Sequence, residues 1–78
     1  QLVEDAIWYD KIVDDIKHIN AKVIRVEIEA NSKDLNNIIG HKKENINKLK
    51  DTYAVITTVK CNNKIKPGKF KINVLETA

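Results

Sequence analysis

Methionine is absent from the 78 residues, proline and cysteine occur once each, glycine occurs twice, and aromatic residues make up only 5% of the chain. Each scarcity excludes something. Without a starting Met the chain reads as a piece of a longer protein. A single cysteine, Cys61, has no internal disulfide partner, which points to a reducing, intracellular compartment, cytoplasmic rather than nuclear. With two widely separated histidines, His18 and His41, it gives no zinc constellation, so neither a metal nor a cofactor is expected. No base lies near Cys61 in the sequence, and it reads as a small buried strand residue rather than a nucleophile. There is no run of about 18 apolar residues and no basic-then-apolar leader, so neither a membrane span nor a secretory signal is expected.

What is present describes one small folded domain. Apolar residues make up 42% and charged residues 32% of the chain, proportions of a globular domain rather than a disordered tail. The net charge of +3 conceals an asymmetry. Residues 1–39 hold five Lys/Arg and eight Asp/Glu, a sum of −3, whereas residues 40–78 hold nine Lys and three Asp/Glu, a sum of +6. The basic half begins at Gly40, and a polyanion partner on that side is the expectation. An enzyme is not expected, because no convergent acid, base or nucleophile set is present. The adjacent pair Asp14-Asp15 is no carboxylate dyad, since neighbours on a helix point about 100° apart.

Read in order, Trp8, Ile12, Ile16 and Ile19 recur at helical spacing, with Ala6, Tyr9 and Val13 flanking the stripe; this predicts an amphipathic helix over residues 2–19. Trp8, on an Ile-rich stripe, is a core residue. Residues 22–30 alternate, with Ile24, Val26, Ile28 and Ala30 on one face and Arg25, Glu27 and Glu29 on the other, as a half-buried strand does. Ser32 is a good N-cap for a short helix over 33–39 whose Leu35, Ile38 and Ile39 face inward. Gly40 closes that helix in a left-handed conformation. Ile46, Leu49 and Tyr53 then define another helix, with Glu44 complementing its N-terminal dipole. Residues 54–61 are β-rich but equally apolar on both faces, so the buried face stays open. A loop through Pro67-Gly68 carries Lys64, Lys66 and Lys69. The last strand, 70–75, turns Phe70, Ile72 and Val74 inward and Lys71 and Asn73 outward. The order predicts an α+β two-layer sandwich, three strands with three helices on one face.

The centre of this pattern is Ile38-Ile39-Gly40-His41-Lys42-Lys43-Glu44-Asn45-Ile46, where two helices meet at a basic turn. Backbone N–H groups at the start of the second helix suit a phosphate or another anion. From the strand at 23–30 through IIGHKKENINKL to the strand at 54–61, the chain resembles the KH domain, a single-stranded nucleic-acid module with a β-α-α-β core and a GXXG loop between its helices. The strand at 70–75 makes it similar to the type I, eukaryotic-like arrangement, which implies a wholly antiparallel three-stranded sheet. The opening helix, residues 1–21, resembles the closing helix of such a unit, its own or that of a preceding one, with residues 22–78 as the KH core. Helix-to-strand continuity of this kind is similar to vigilin-like multi-KH proteins.

The resemblance implies an RNA-binding module, for single-stranded RNA or possibly DNA, within a larger multi-KH protein that also contacts neighbouring KH domains or other proteins. Ile38, Ile39 and Ile46 would floor a groove for about four nucleotides. Gly40, His41, Lys42 and Lys43 would clamp the sugar-phosphate backbone, Asn45 is a further expected nucleic-acid-binding residue, and Lys60 or Lys64 would form the opposite wall. The loop departs from the family at one place: it reads G-H-K-K, with Lys43 where the second glycine belongs. That implies weak binding driven by charge, or a degenerate domain kept as a structural or protein-interaction module. Aromatic stacking platforms are lacking too, since the helical spacing gives Tyr53 to the core.

Overall fold

The structure, a computed structural model, describes residues 2–78. Helix α1 spans Leu2–Lys17 and strand β1 Val23–Ala30; the short α2, Leu35–Ile39, and the longer α3, Glu44–Tyr53, precede strands β2, Ile56–Cys61, and β3, Phe70–Thr77. The class is α+β with a three-stranded mixed sheet in the order β2-β1-β3. Of the three helices expected, α1 forms but ends at Lys17, two residues short of the expected end, and α3 forms over Glu44–Tyr53. The middle one shrinks to a five-residue segment, little more than one turn. Its start moves because Asn31, not Ser32, organises the entry: the Asn31 side-chain oxygen accepts the Lys33 N–H at 3.0 Å and its carbonyl accepts the Asp34 N–H at 2.9 Å. Side-chain bonding of this kind competes with helix.

The sheet is not purely antiparallel. β1 pairs β2 in parallel, from Arg25 opposite Ile56 to Ala30 opposite Cys61, and pairs β3 antiparallel, with Val26, Ile28 and Ala30 opposite Val74, Ile72 and Phe70. This corrects the antiparallel sheet that the type I resemblance implied. The crossover through α2 and α3 is long enough to return the chain parallel to its starting strand. β1, whose Val26, Ile28 and Ala30 are wholly buried, takes the centre and leaves β2 and β3 as edges.

The core lies between one face of the sheet and the helices. Trp8 and Ile12 of α1 join Ile28, Ala30, Ile38 and Leu49, with Phe70 and Ile72 packed against them. Trp8 meets Phe70 edge-on, ring centroids 5.7 Å apart, a favoured aromatic geometry. Helix α1 therefore packs on the chain's own sheet. A second cluster of Val23, Val26 and Val55 closes the other end. Val23 replaces the expected Ile24 there because the β1–β3 register shifts between Val23 and Val26, which flips the side-chain alternation. Among the described residues no helix is long and apolar enough to cross a membrane.

In β2 the inward residues are Thr57 and Val59, while Ile56 and Thr58 face out. Cys61 is exposed, contrary to the buried position expected, because it ends an edge strand and lies outside both core clusters. Tyr53 is likewise 38% exposed. It is the last residue of α3, and the Lys17 ammonium sits 5.9 Å from its ring centre.

Candidate nucleic-acid interface

The turn between α2 and α3 is built on one glycine and two strained lysines. Gly40 adopts φ 83°, ψ 164°, a region open essentially to glycine alone and different from the left-handed helical conformation expected. A Cβ at this position would lie 2.9 Å from the Asn45 backbone nitrogen, so both the dihedral and the close approach require glycine. Lys42 (φ 54°, ψ 35°) and Lys43 (φ 62°, ψ 28°) follow in the left-handed region. With the Glu44 N–H donating to the His41 carbonyl, residues 41–44 come close to a type I′ turn, whose two central positions favour Asn-Gly. Two L-side chains there cost about 1–2 kcal/mol each.

Buried polar contacts hold the turn in place. Asn45 is only 2% exposed, and its side-chain amide donates to the carbonyls of Asp5 at 2.8 Å, Asn37 at 3.1 Å and Ile38 at 3.2 Å. It ties α1, α2 and α3 together and does not line the groove beside the turn, so its side chain is a structural tie rather than the ligand contact expected. Asp5, in the first turn of α1 and 6% exposed, accepts the His41 N–H at 3.1 Å. Its neighbour Glu4 accepts from the Asn37 side chain at 2.9 Å. Acidic side chains of α1 therefore already occupy one side of the basic turn. Nothing in the sequence signalled this, because Asp5 lies 36 residues from His41.

Beside the turn runs a groove of about 210 Å³ lined by Ile39, Lys43, Ile46, Thr57 and Val59. The expected floor residues Ile39 and Ile46 are brought together in it. Ile38 is not: it is 0% exposed and belongs to the core, since consecutive helical residues diverge by about 100° and only one of the pair can face the groove. Lys43 forms the rim, with His41 and Lys42 exposed on the other side of the turn, lining a separate open recess with Glu44, Asn47, Lys48 and Asp51.

The opposite wall is made by Thr57 and Val59 of β2, not by Lys60 or Lys64. Strand alternation turns Lys60 to the helix-free face of the sheet, beside Glu29, which it opposes in the β1–β2 register. There the Glu29 carboxylate accepts from the Asn73 and Asn62 side chains. These bonds hold its pKa below the usual carboxylate value, with Lys60 and Lys71 adding to the effect. Lys64 rides on the loop at 62–69, which is bound to the β1–α2 connection: Asn31 donates to the Ile65 carbonyl at 3.1 Å, and Asp34 accepts the Gly68 N–H at 2.8 Å.

Thr57 is the residue that sequence reasoning missed. It is 7% exposed, it lines the groove, and its hydroxyl is the buried side-chain polar atom left without a hydrogen-bond partner among the described residues. Threonine in a β-rich run carries no signal of its own; only the inward parity of β2 singles it out.

Comparison with protein-family models, curated proteins and solved structures finds no match. The geometry therefore carries the functional argument. It offers an apolar groove with a cationic rim at Lys43 and, in its wall, a buried hydroxyl that has no hydrogen-bond partner among the described residues.

Proposed function

We propose that the chain is a KH-like module that binds single-stranded RNA weakly, as one unit of a larger multi-KH protein in which several such sites act together through effective concentration. The observation that supports this best is the groove itself: Ile39, Ile46 and Val59 give it an apolar floor, and Lys43 and Thr57 border it. Lys43 at the rim and Lys42 beside it add attraction for phosphate. The G-H-K-K turn puts Lys42 and Lys43 into left-handed dihedrals that favour glycine, and the short aromatic supply keeps stacking out of the energetics.

The Asp5 carboxylate on the His41 amide favours the second reading, a degenerate module that docks a protein rather than RNA. The double substitution Lys42→Asp with Lys43→Asp separates the two. Both side chains are exposed, so circular dichroism should report an intact fold, while anisotropy of a labelled oligouridylate at low salt should report at least about tenfold weaker binding, as expected for reversing two charges near a polyanion. Equal affinity of the double variant and the parent rules out RNA binding at this turn.

A further inference from the structure

Four polar side chains are buried among the described residues: Asp5, Asn31, Asn45 and Thr57. The first three tie distant segments together. Asp5 accepts the His41 N–H, Asn31 donates to the Ile65 carbonyl, and Asn45 donates to the carbonyls of Asp5, Asn37 and Ile38. Thr57 ties nothing. Its hydroxyl has no hydrogen-bond partner among the described residues, although the adjacent Thr58, on the other face of β2, reaches the Val26 carbonyl at 3.5 Å. A buried polar group left unmatched opposes folding, and a valine of nearly the same shape would avoid the cost. Its place in the fold explains why a hydroxyl is kept. Thr57 lines the groove with Ile39, Lys43, Ile46 and Val59 and is the one uncharged polar residue among them. Because β2 is an edge strand, no further strand covers this wall.

We infer that Thr57 is the base-reading residue of this groove: on binding, its hydroxyl takes the polar edge of one unstacked nucleobase while Lys43 attracts the adjoining phosphate. The inference rests on the RNA-binding reading above and adds a base-dependent component to it, where charge alone recognises only the backbone. In the free domain the hydroxyl is enclosed. A base therefore reaches it as the apolar side chains around it part, or as Thr57 turns about χ1 from one staggered rotamer to another and exchanges methyl for hydroxyl. A hydroxyl donates and accepts at once, so it pairs with a carbonyl edge or an amino edge alike. It distinguishes a base from an abasic sugar more sharply than one base from another.

The test uses the whole chain with Thr57→Val, which replaces the hydroxyl by a methyl, and Thr57→Ser, which keeps it. Stability and affinity should move in opposite directions. In thermal melts Thr57→Val should gain about 4–8 °C, because an unmatched buried group is removed. Anisotropy with a short labelled oligouridylate at low salt should show the same variant binding about threefold to tenfold more weakly than the parent, and Thr57→Ser within about twofold of it. A strand of the same length with abasic sugars should bind the parent and Thr57→Val equally, since it offers phosphate without a base edge. A residue that only packs would lose stability and affinity together. If Thr57→Val binds oligouridylate as the parent does, or loses as much on the abasic strand, the inference is overturned and the RNA reading stands. A lower melting temperature for Thr57→Val shows that the hydroxyl is already satisfied in the free domain and overturns it as well. If the parent binds no oligouridylate, the RNA reading and the base-reading role fall together.

Discussion

Lys43 has a backbone meant for glycine and a side chain that glycine could not supply. Its φ of 62° is strained by about 1–2 kcal/mol, yet its ammonium-bearing chain borders the groove. Lys43→Gly separates these contributions. The strain is released, but the unfolded chain gains freedom worth about 0.4–1 kcal/mol, so a net stabilisation of about 0.5–1 kcal/mol is expected, a rise in melting temperature of about 3–6 °C for a domain of this size. Oligouridylate binding by the same variant should tighten at low salt, because the backbone can approach a phosphate without Cβ contact. Melting by circular dichroism and anisotropy measure the two effects on one sample. A lower melting temperature would mean that the lysine stem contributes more by packing than its dihedral costs.

At the scale of elements, α1 is where helix chemistry and site meet. Its C-terminal end is marked by His18, whose Nδ1 donates to the Asp14 carbonyl at 2.7 Å, with the Asp14 carboxylate 3.9 Å away. The backbone bond and then the Asp14 charge raise the imidazole pKa above its ordinary value, as expected for a cation at a helix C-terminus. A raised folded-state pKa contributes stability that is fully present below the unfolded value and fades as pH rises through the folded one. The His18 ring carbon protons should therefore titrate in NMR with a midpoint above about 6.5, and in Asp14→Asn, which removes the charge but keeps the carbonyl, the midpoint should fall only part of the way back. An unshifted midpoint in the parent would mean that the capping contact is absent in solution.

The elements themselves were largely legible in the residues. The stripe Trp8, Ile12, Ile16, the alternation through Val26, Ile28 and Ala30, and the glycine at 40 located α1, β1 and the turn within two or three residues, because each obeys a local period. Strand pairing was not legible. Whether β2 lies beside β1 depends on the path of the whole crossover, and a parallel pair leaves the same apolar pattern as an antiparallel one. The same limit hid half the site. Ile39 and Ile46 were readable from helical spacing, but Asp5, Thr57 and the inward turn of Asn45 depend on contacts between distant segments, and Lys60 was misassigned because the face of an evenly apolar strand has no sequence signature.

For the whole molecule, the proposed binding of RNA turns on which of its lysines a strand in the groove would feel. The sum of +6 over residues 40–78 suggests one continuous basic surface, but the fold divides it. Lys43 borders the groove and Lys42 adjoins it. Lys60 and Lys71 are on the helix-free sheet face around Glu29, and Lys64, Lys66 and Lys69 belong to the loop anchored by Asn31 and Asp34. Single-strand binding loses about 0.7 in log K per decade of salt for each phosphate neutralised. Lys48 lines the same recess as Lys42 but is paired with Glu44 at 4.0 Å, so Lys42 and Lys43 predict a slope of about −1.4, whereas engagement of the three loop lysines as well would steepen it to about −3.5. The expected result is the shallower slope, reduced to about −0.7 by Lys42→Ala and unchanged by Lys64→Ala, measured by oligouridylate anisotropy between about 50 and 200 mM salt. A steep slope that Lys64→Ala relieves would move the proposed path of the strand from the turn to the loop.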